Sequence, residues 1–122
     1  MNAIKEEIKL ADEMLKDAQL MYSNKRLKST ANRAYYAIFH ATKAALLFCG
    51  TDCQSHAGAL SRFGEHVINK GLLDKSYAKI LHRAYRLREK SDYSPTFNID
   101  NKEVKKLVGE AGEFVKKIKE LL

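Results

Sequence analysis

The stretch from Ala31 to Phe48 has no wet face. Ala31, Ala34, Tyr35, Tyr36, Ala37, Ile38, Phe39, Ala41, Ala44, Ala45, Leu46, Leu47 and Phe48 place apolar side chains at almost every helical angle. A helix that is apolar nearly all round belongs in the middle of a bundle or in an oligomer interface. Its alanines let neighbouring helices approach closely, and Gly50 is suited to end it. The rest of the chain has to supply the helices that cover it.

The remaining periodicity supplies them. Ile4, Ile8, Ala11, Leu15, Ala18 and Tyr22 recur at three- and four-residue steps, with charged residues on the other face. This is an amphipathic helix of about six turns. Ser23 and Asn24 end it, and Asn24 can cap the next helix. After a loop over residues 51–57, a shorter helix over about 56–70 carries Leu60, Phe63, Val67 and Ile68, and Gly71 ends it. Asp74 or Ser76 caps a fourth helix reaching about Lys90, and Pro95 biases Ser94 away from helical backbone. Asp100 and Glu103 have capping-box spacing and open a fifth helix with Val104, Leu107, Val108, Ala111, Phe114, Val115, Ile118 and Leu122. One Pro and six Gly are too few turn signals for a β-sandwich or barrel. The predicted fold is all-α, an up-and-down antiparallel bundle of four to five helices forming one domain over residues 1–122.

Several function classes drop out. No apolar run approaches the ~18 residues a membrane span needs. The first residues interleave acidic with apolar side chains, unlike a signal or transit peptide, so a cytoplasmic location is expected. Cys49 and Cys53 then read as free thiols. With His56 they make three soft donors in one loop but lack a fourth, so no metal site is assigned and no cofactor is implied. Neither a phosphate-binding glycine loop nor a nucleophile elbow is present.

The net charge of +7 suits a polyanionic partner, although much of it lies in the lysines of the last helix, where solvation is the ordinary explanation. The fourth helix holds the sharper anomaly. Tyr77, Leu81, Ala84, Tyr85 and Arg88 share one sector, so Arg88 sits on an apolar stripe, with Asp92 one turn on. An arginine there needs a partner. Either Arg88 and Asp92 form an internal pair that closes the helix end, or Arg88 faces a groove and meets a phosphate. Lys79, Arg83, Arg86 and Lys90 cluster on the opposite face, as a solvated surface or as a stripe that tracks phosphates. Tyr93, beside Asp92 and Pro95, is the tyrosine expected to be reachable.

Two motifs carry a family resemblance over nearly the whole chain. The run from Asn32 to Ala41 with residues 43–47 and Gly50 resembles the second helix of HEPN domains. Arg88, Asp92 and Tyr93 resemble the Arg-x-x-x-Asp-Tyr signature of a prokaryotic HEPN branch, and His56 sits where that branch often has a basic or His-Gly element. The resemblance implies a homodimeric helical bundle encoded beside a minimal nucleotidyltransferase in a toxin–antitoxin module. It also implies metal-independent endoribonuclease activity in members with Arg, four to six residues, then His. Here no histidine follows Arg83, Arg86 or Arg88 at that spacing, and the position of a modified tyrosine in the toxin motif is Pro95.

Three functions are therefore in play. The first is a dimer that binds a nucleotide or RNA through Arg88, Asp92, Tyr93, Arg83 and Arg86, paired with a nucleotidyltransferase. The second is a ribonuclease in which Asp92 or His56 replaces the missing base. The third is a structural dimeric partner in which Arg88 is only a staple.

Overall fold

The computed structural model describes residues 2–122. Five α-helices and no strand occur among them: α1 (Asn2–Ser23), α2 (Leu27–Phe48), α3 (His56–Phe63), α4 (Ser76–Tyr93) and α5 (Asn101–Leu121). This is the all-α bundle that the periodicity predicts. Cross-helix contacts show neighbours running antiparallel. His40 meets Glu7 and Arg33 meets Asp17 between α1 and α2. Tyr36 meets Arg88 and Asn32 meets Asp92 between α2 and α4. Tyr77 meets Glu113 and Arg83 meets Glu110 between α4 and α5.

The α2 helix is the central element and packs against all four others. Ala31, Ala34, Ala37, Ala41, Ala44 and Ala45 are wholly buried, so small side chains lie where the neighbours come closest. Ile38 and Leu46 fill larger gaps, and Phe63 stacks on Phe114 at 5.8 Å to join α3 to α5. Each such side chain contributes about 1.5–3 kcal/mol by leaving water. Buried Thr30 and Thr42 satisfy their hydroxyls on the carbonyls one turn back, at Arg26 and Ile38. The burial is not complete all round. Tyr36, Phe39, His40, Lys43 and Leu47 form one stripe that stays partly exposed.

Local signals explain the helix ends, with three departures. Gly50 adopts φ +83°, and the amides of Gly50 and Thr51 donate to Leu47 and Leu46, closing α2 in a Schellman turn. Asn24 does not cap α2. Its side chain donates back to Leu20, and Lys25 takes the left-handed position (φ 59°) of the same turn type at the end of α1. The segment expected to be one helix over about 56–70 is α3 followed by a π-helical turn over Gly64–Ile68, in which Asn69 donates to Gly64 at 2.8 Å. The α4 helix runs three residues beyond Lys90 and stops at extended Ser94, ahead of Pro95. That extra turn keeps Asp92 helical. Asp74 accepts from the Ser76 amide and Asp100 from the Lys102 amide, so both acids cap as their positions predict.

Candidate functional site

Two i,i+4 pairs face each other across α2 and α4. On α2 they are Asn32 and Tyr36; on α4, Arg88 and Asp92. Helical geometry puts each pair on one face, and the antiparallel packing matches them in register. The Arg88 Nη2 donates to the Tyr36 hydroxyl at 2.9 Å. Its Nε lies 3.1 Å from Asp92 Oδ2. Asn32 Nδ2 donates to that same carboxylate oxygen at 3.0 Å, and Arg33 donates to Asn32 Oδ1 at 2.7 Å. The side chains of Arg88 and Asp92 are 15% and 27% exposed, so the pair is partly open to water.

Aromatic rings enclose the guanidinium. Its carbon lies 5.5, 5.3 and 5.6 Å from the ring centres of Tyr35, Tyr36 and Tyr93, within cation–π range. Burial alone would lower the Arg88 pKa, but Tyr36, Asp92 and Tyr93 outweigh it and hold the guanidinium charged above its ordinary range. Tyr36 accepts from Arg88, so its own hydroxyl proton stays available to a ligand oxygen.

His56 completes the cluster from the first turn of α3. Ser55 caps that helix by accepting from the Gly58 amide. A Cβ at position 58 would lie 3.2 Å from the Ser55 hydroxyl, so glycine leaves the cap room. The His56 ring stacks on Tyr85 at 3.7 Å and 6°, with His82 6.1 Å away. Its Nδ1 is 3.4 Å from the Tyr35 hydroxyl. Burial first, then His82, push its pKa below the usual histidine value, and Glu89 only partly opposes them. Burial raises the Tyr35 phenol, so both groups are neutral at pH 7.

Among the described residues, two buried side-chain polar atoms lack a hydrogen-bond partner: His56 Nε2 and Arg88 Nε. The latter is close to Asp92 in distance but not aligned as a hydrogen bond. Both residues contact Tyr35. Unsatisfied buried groups are rare and tend to mark sites where something else binds or reacts.

The structure thus brings Arg88, Asp92, His56 and Tyr93 into one cluster, with Tyr93 71% exposed at its edge. Arg83 and Arg86 lie outside it. Arg83 pairs with Glu110 on the α5 side, and Arg86 is exposed. Cys49 points its thiol at the His66 carbonyl. In sequence, Tyr35 and Tyr36 stand out only as apolar residues of the second helix, and Asn32 only within the HEPN-like run. The signal that would reveal Tyr36 and Asn32 is their i,i+4 spacing, which mirrors that of Arg88 and Asp92.

The HEPN domain model matches residues 4–121. The chain belongs to the HEPN domain family. A protein of Methanocaldococcus jannaschii named "Putative toxin" is 37% identical over 94% of this chain and 85% of its own length. An Archaeoglobus fulgidus protein named UPF0332 protein is 34% identical over 98% of this HEPN chain and 94% of its own length. A UPF0332 protein of Thermotoga maritima is 33% identical over 92% of this chain and 85% of its own.

Proposed function

We propose that this HEPN protein is the RNA- or nucleotide-binding component of a toxin–antitoxin-type module, acting as a cytoplasmic homodimer beside a minimal nucleotidyltransferase. The observation that carries the binding reading is Arg88: a charged guanidinium held by Tyr36 and Asp92 in an aromatic surround, partly open to solvent. Such a group pairs bidentately with a phosphate without reorganising first. Tyr36 donates its free hydroxyl proton to the same phosphate, and exposed Tyr93 offers a face for a base to stack on. The toxin names of two Methanocaldococcus jannaschii relatives support the module.

The partly exposed α2 stripe supports the dimer. Tyr36, Phe39 and Leu47 are only partly covered within one chain, and Tyr36 touches Arg88. A second copy across that stripe would set two Arg88 groups near one interface. No helix among the described residues is long and apolar enough to cross a membrane.

One observation favours a second reading. His56 is neutral and its Nε2 has no partner, so it is a proton acceptor or donor in waiting beside Arg88. A metal-independent endoribonuclease needs such a group to move the 2′-hydroxyl proton while a cation steadies the phosphate. Asp92 is the weaker candidate, because its carboxylate is already engaged by Arg88 and Asn32.

Calorimetric titration with single-stranded RNA, ATP and GTP tests the binding reading, and co-purification with a co-expressed nucleotidyltransferase tests the module. Saturable binding of RNA or a nucleotide is expected; no heat from any of the three contradicts it. Cleavage of a mixed RNA pool that is lost in both Arg88→Ala and His56→Gln would select the ribonuclease reading.

A further inference from the structure

A polar cleft adjoins the Arg88 cluster through Asn32 and Asp92. It lies between the first turns of α2 and the end of α4 and is lined by Lys28, Ser29, Asn32, Arg33 and Asp92. Asp92 and Asn32 therefore belong to both features. A further depression, lined by Met21, Asn24, Arg26 and Ser29, continues from it through Ser29. Polar hollows thus run from Arg88 along the start of α2 to Arg26.

The cleft sets Lys28 and Arg33 beside the Asp92 carboxylate, which Arg88 and Asn32 already engage. Arg33 is anchored by its bond to Asn32 Oδ1, and its Nε is 3.8 Å from Asp17, at the edge of ion-pair range. Among the described residues, Arg26 and Lys28 have no carboxylate partner. Ser29 is exposed, and its hydroxyl makes no bond within the chain. In the α4 stripe Arg83 is already paired with Glu110 and Lys90 lies over the Phe97 ring, while Lys79 and Arg86, unpaired like Arg26 and Lys28, line neither of these two hollows. A concave cationic track joined to a guanidinium site, with an exposed tyrosine at one end, has the combination that single-stranded nucleic acids use: cations for the backbone and a ring for a base.

We infer that the α2 track seats the phosphodiester backbone of single-stranded RNA. Lys28 and Arg33 take the phosphates next to the one held at Arg88, and Tyr93 stacks the adjoining base. This rests on the RNA-binding reading above and adds the strand's path. It assigns the backbone to α2 rather than to the exposed α4 stripe.

The test is binding of a fluorescein-labelled single-stranded RNA 12-mer to the full chain, by anisotropy, across a series of salt concentrations. Each single-strand phosphate contact contributes about 0.7 to the slope of log K against log salt. Lys28→Ala/Arg33→Gln is expected to weaken binding about fivefold or more at low salt and to lower the slope by about 1.4. Lys102→Ala/Lys105→Ala removes the same charge from α5 and is expected to leave the slope unchanged. Circular dichroism melting identifies any variant that fails to fold, and Lys28→Gln, at a partly exposed position, then replaces the double variant, with a slope change of about 0.7. If wild type binds RNA and Arg88→Ala weakens it while the α2 variants retain full affinity and slope, the path is wrong and the Arg88 reading stands. An equal loss of slope in the α5 control also overturns the path, because net charge then explains it. If wild type binds no RNA, the RNA reading and the path fall together.

Discussion

The Arg88 guanidinium donates to the Tyr36 hydroxyl at 2.9 Å, across 52 residues of sequence. This bond ties the last turns of α4 to the middle of α2, the most buried helix of the bundle. It also fixes a charge at a partly exposed position. Stability and binding therefore meet at one pair of side chains, and they are separable by experiment.

Tyr36→Phe removes only the hydroxyl. It is expected to cost about 1 kcal/mol of stability, the usual worth of a hydrogen bond to a charged donor in a partly wet site. A double-mutant cycle with Arg88→Ala, read by urea denaturation, should return a coupling of about 0.5–1.5 kcal/mol. A coupling near zero would mean that the bond does not persist in solution.

His56 makes stability depend on pH. Its folded pKa lies below the ordinary 6.5, so between the two values the unfolded chain binds more protons than the folded one. Stability from this group is fully present above about pH 6.5 and is lost as pH falls toward the folded pKa. The melting temperature should therefore drop between pH 7 and pH 5, and the drop should be smaller in His56→Gln. Equal pH profiles for the two proteins would show that another group is responsible.

Lys25 occupies a left-handed backbone position, φ 59°, at the turn that ends α1. A side chain there costs about 1–2 kcal/mol that glycine avoids. Lys25 is exposed and has no ion pair among the described residues. Lys25→Gly should raise stability by about 1 kcal/mol, measured as a higher urea midpoint with an unchanged slope. An unchanged or lower midpoint would show that glycine's greater unfolded-state entropy outweighs the relief.

The exposed α2 stripe predicts self-association. Light scattering should give twice the chain mass of 13.9 kDa, and Phe39→Glu should shift it toward the monomer. A monomeric wild type at micromolar concentration would remove the dimer from the account.

Much of the fold is legible along the chain because it is local. The alanines of α2 announce close packing, Gly50 and Pro95 mark ends, and Asp74 and Asp100 cap as their positions suggest. What is not legible depends on competition between equivalent local solutions. Asn24 was as good a cap for α2 as a stop for α1, and only the Schellman turn through Lys25 decides between them. The π turn at Gly64–Ile68 leaves no sign in the apolar period, which continues through Val67 and Ile68. At the site, Arg88 stands out because a charge interrupts an apolar stripe, and Asp92 follows from spacing. Tyr36 and Tyr85 do not stand out, since an aromatic on an apolar face looks like core until its neighbour is known. His56 is visible as a loop histidine at a family-like element, but its stack on Tyr85 depends on how α3 packs on α4.

The central claim is that Arg88 is a binding group and not only a staple. Arg88→Ala and Arg88→Lys, each assayed for RNA affinity by calorimetry and for melting temperature, test it most directly. Lysine keeps the charge but loses the planar fork that reaches phosphate and Tyr36 together. The account predicts at least a tenfold loss of affinity in both variants, with a stability loss of about 1–2 kcal/mol in Arg88→Ala. Full RNA affinity in a folded Arg88→Ala protein would contradict it.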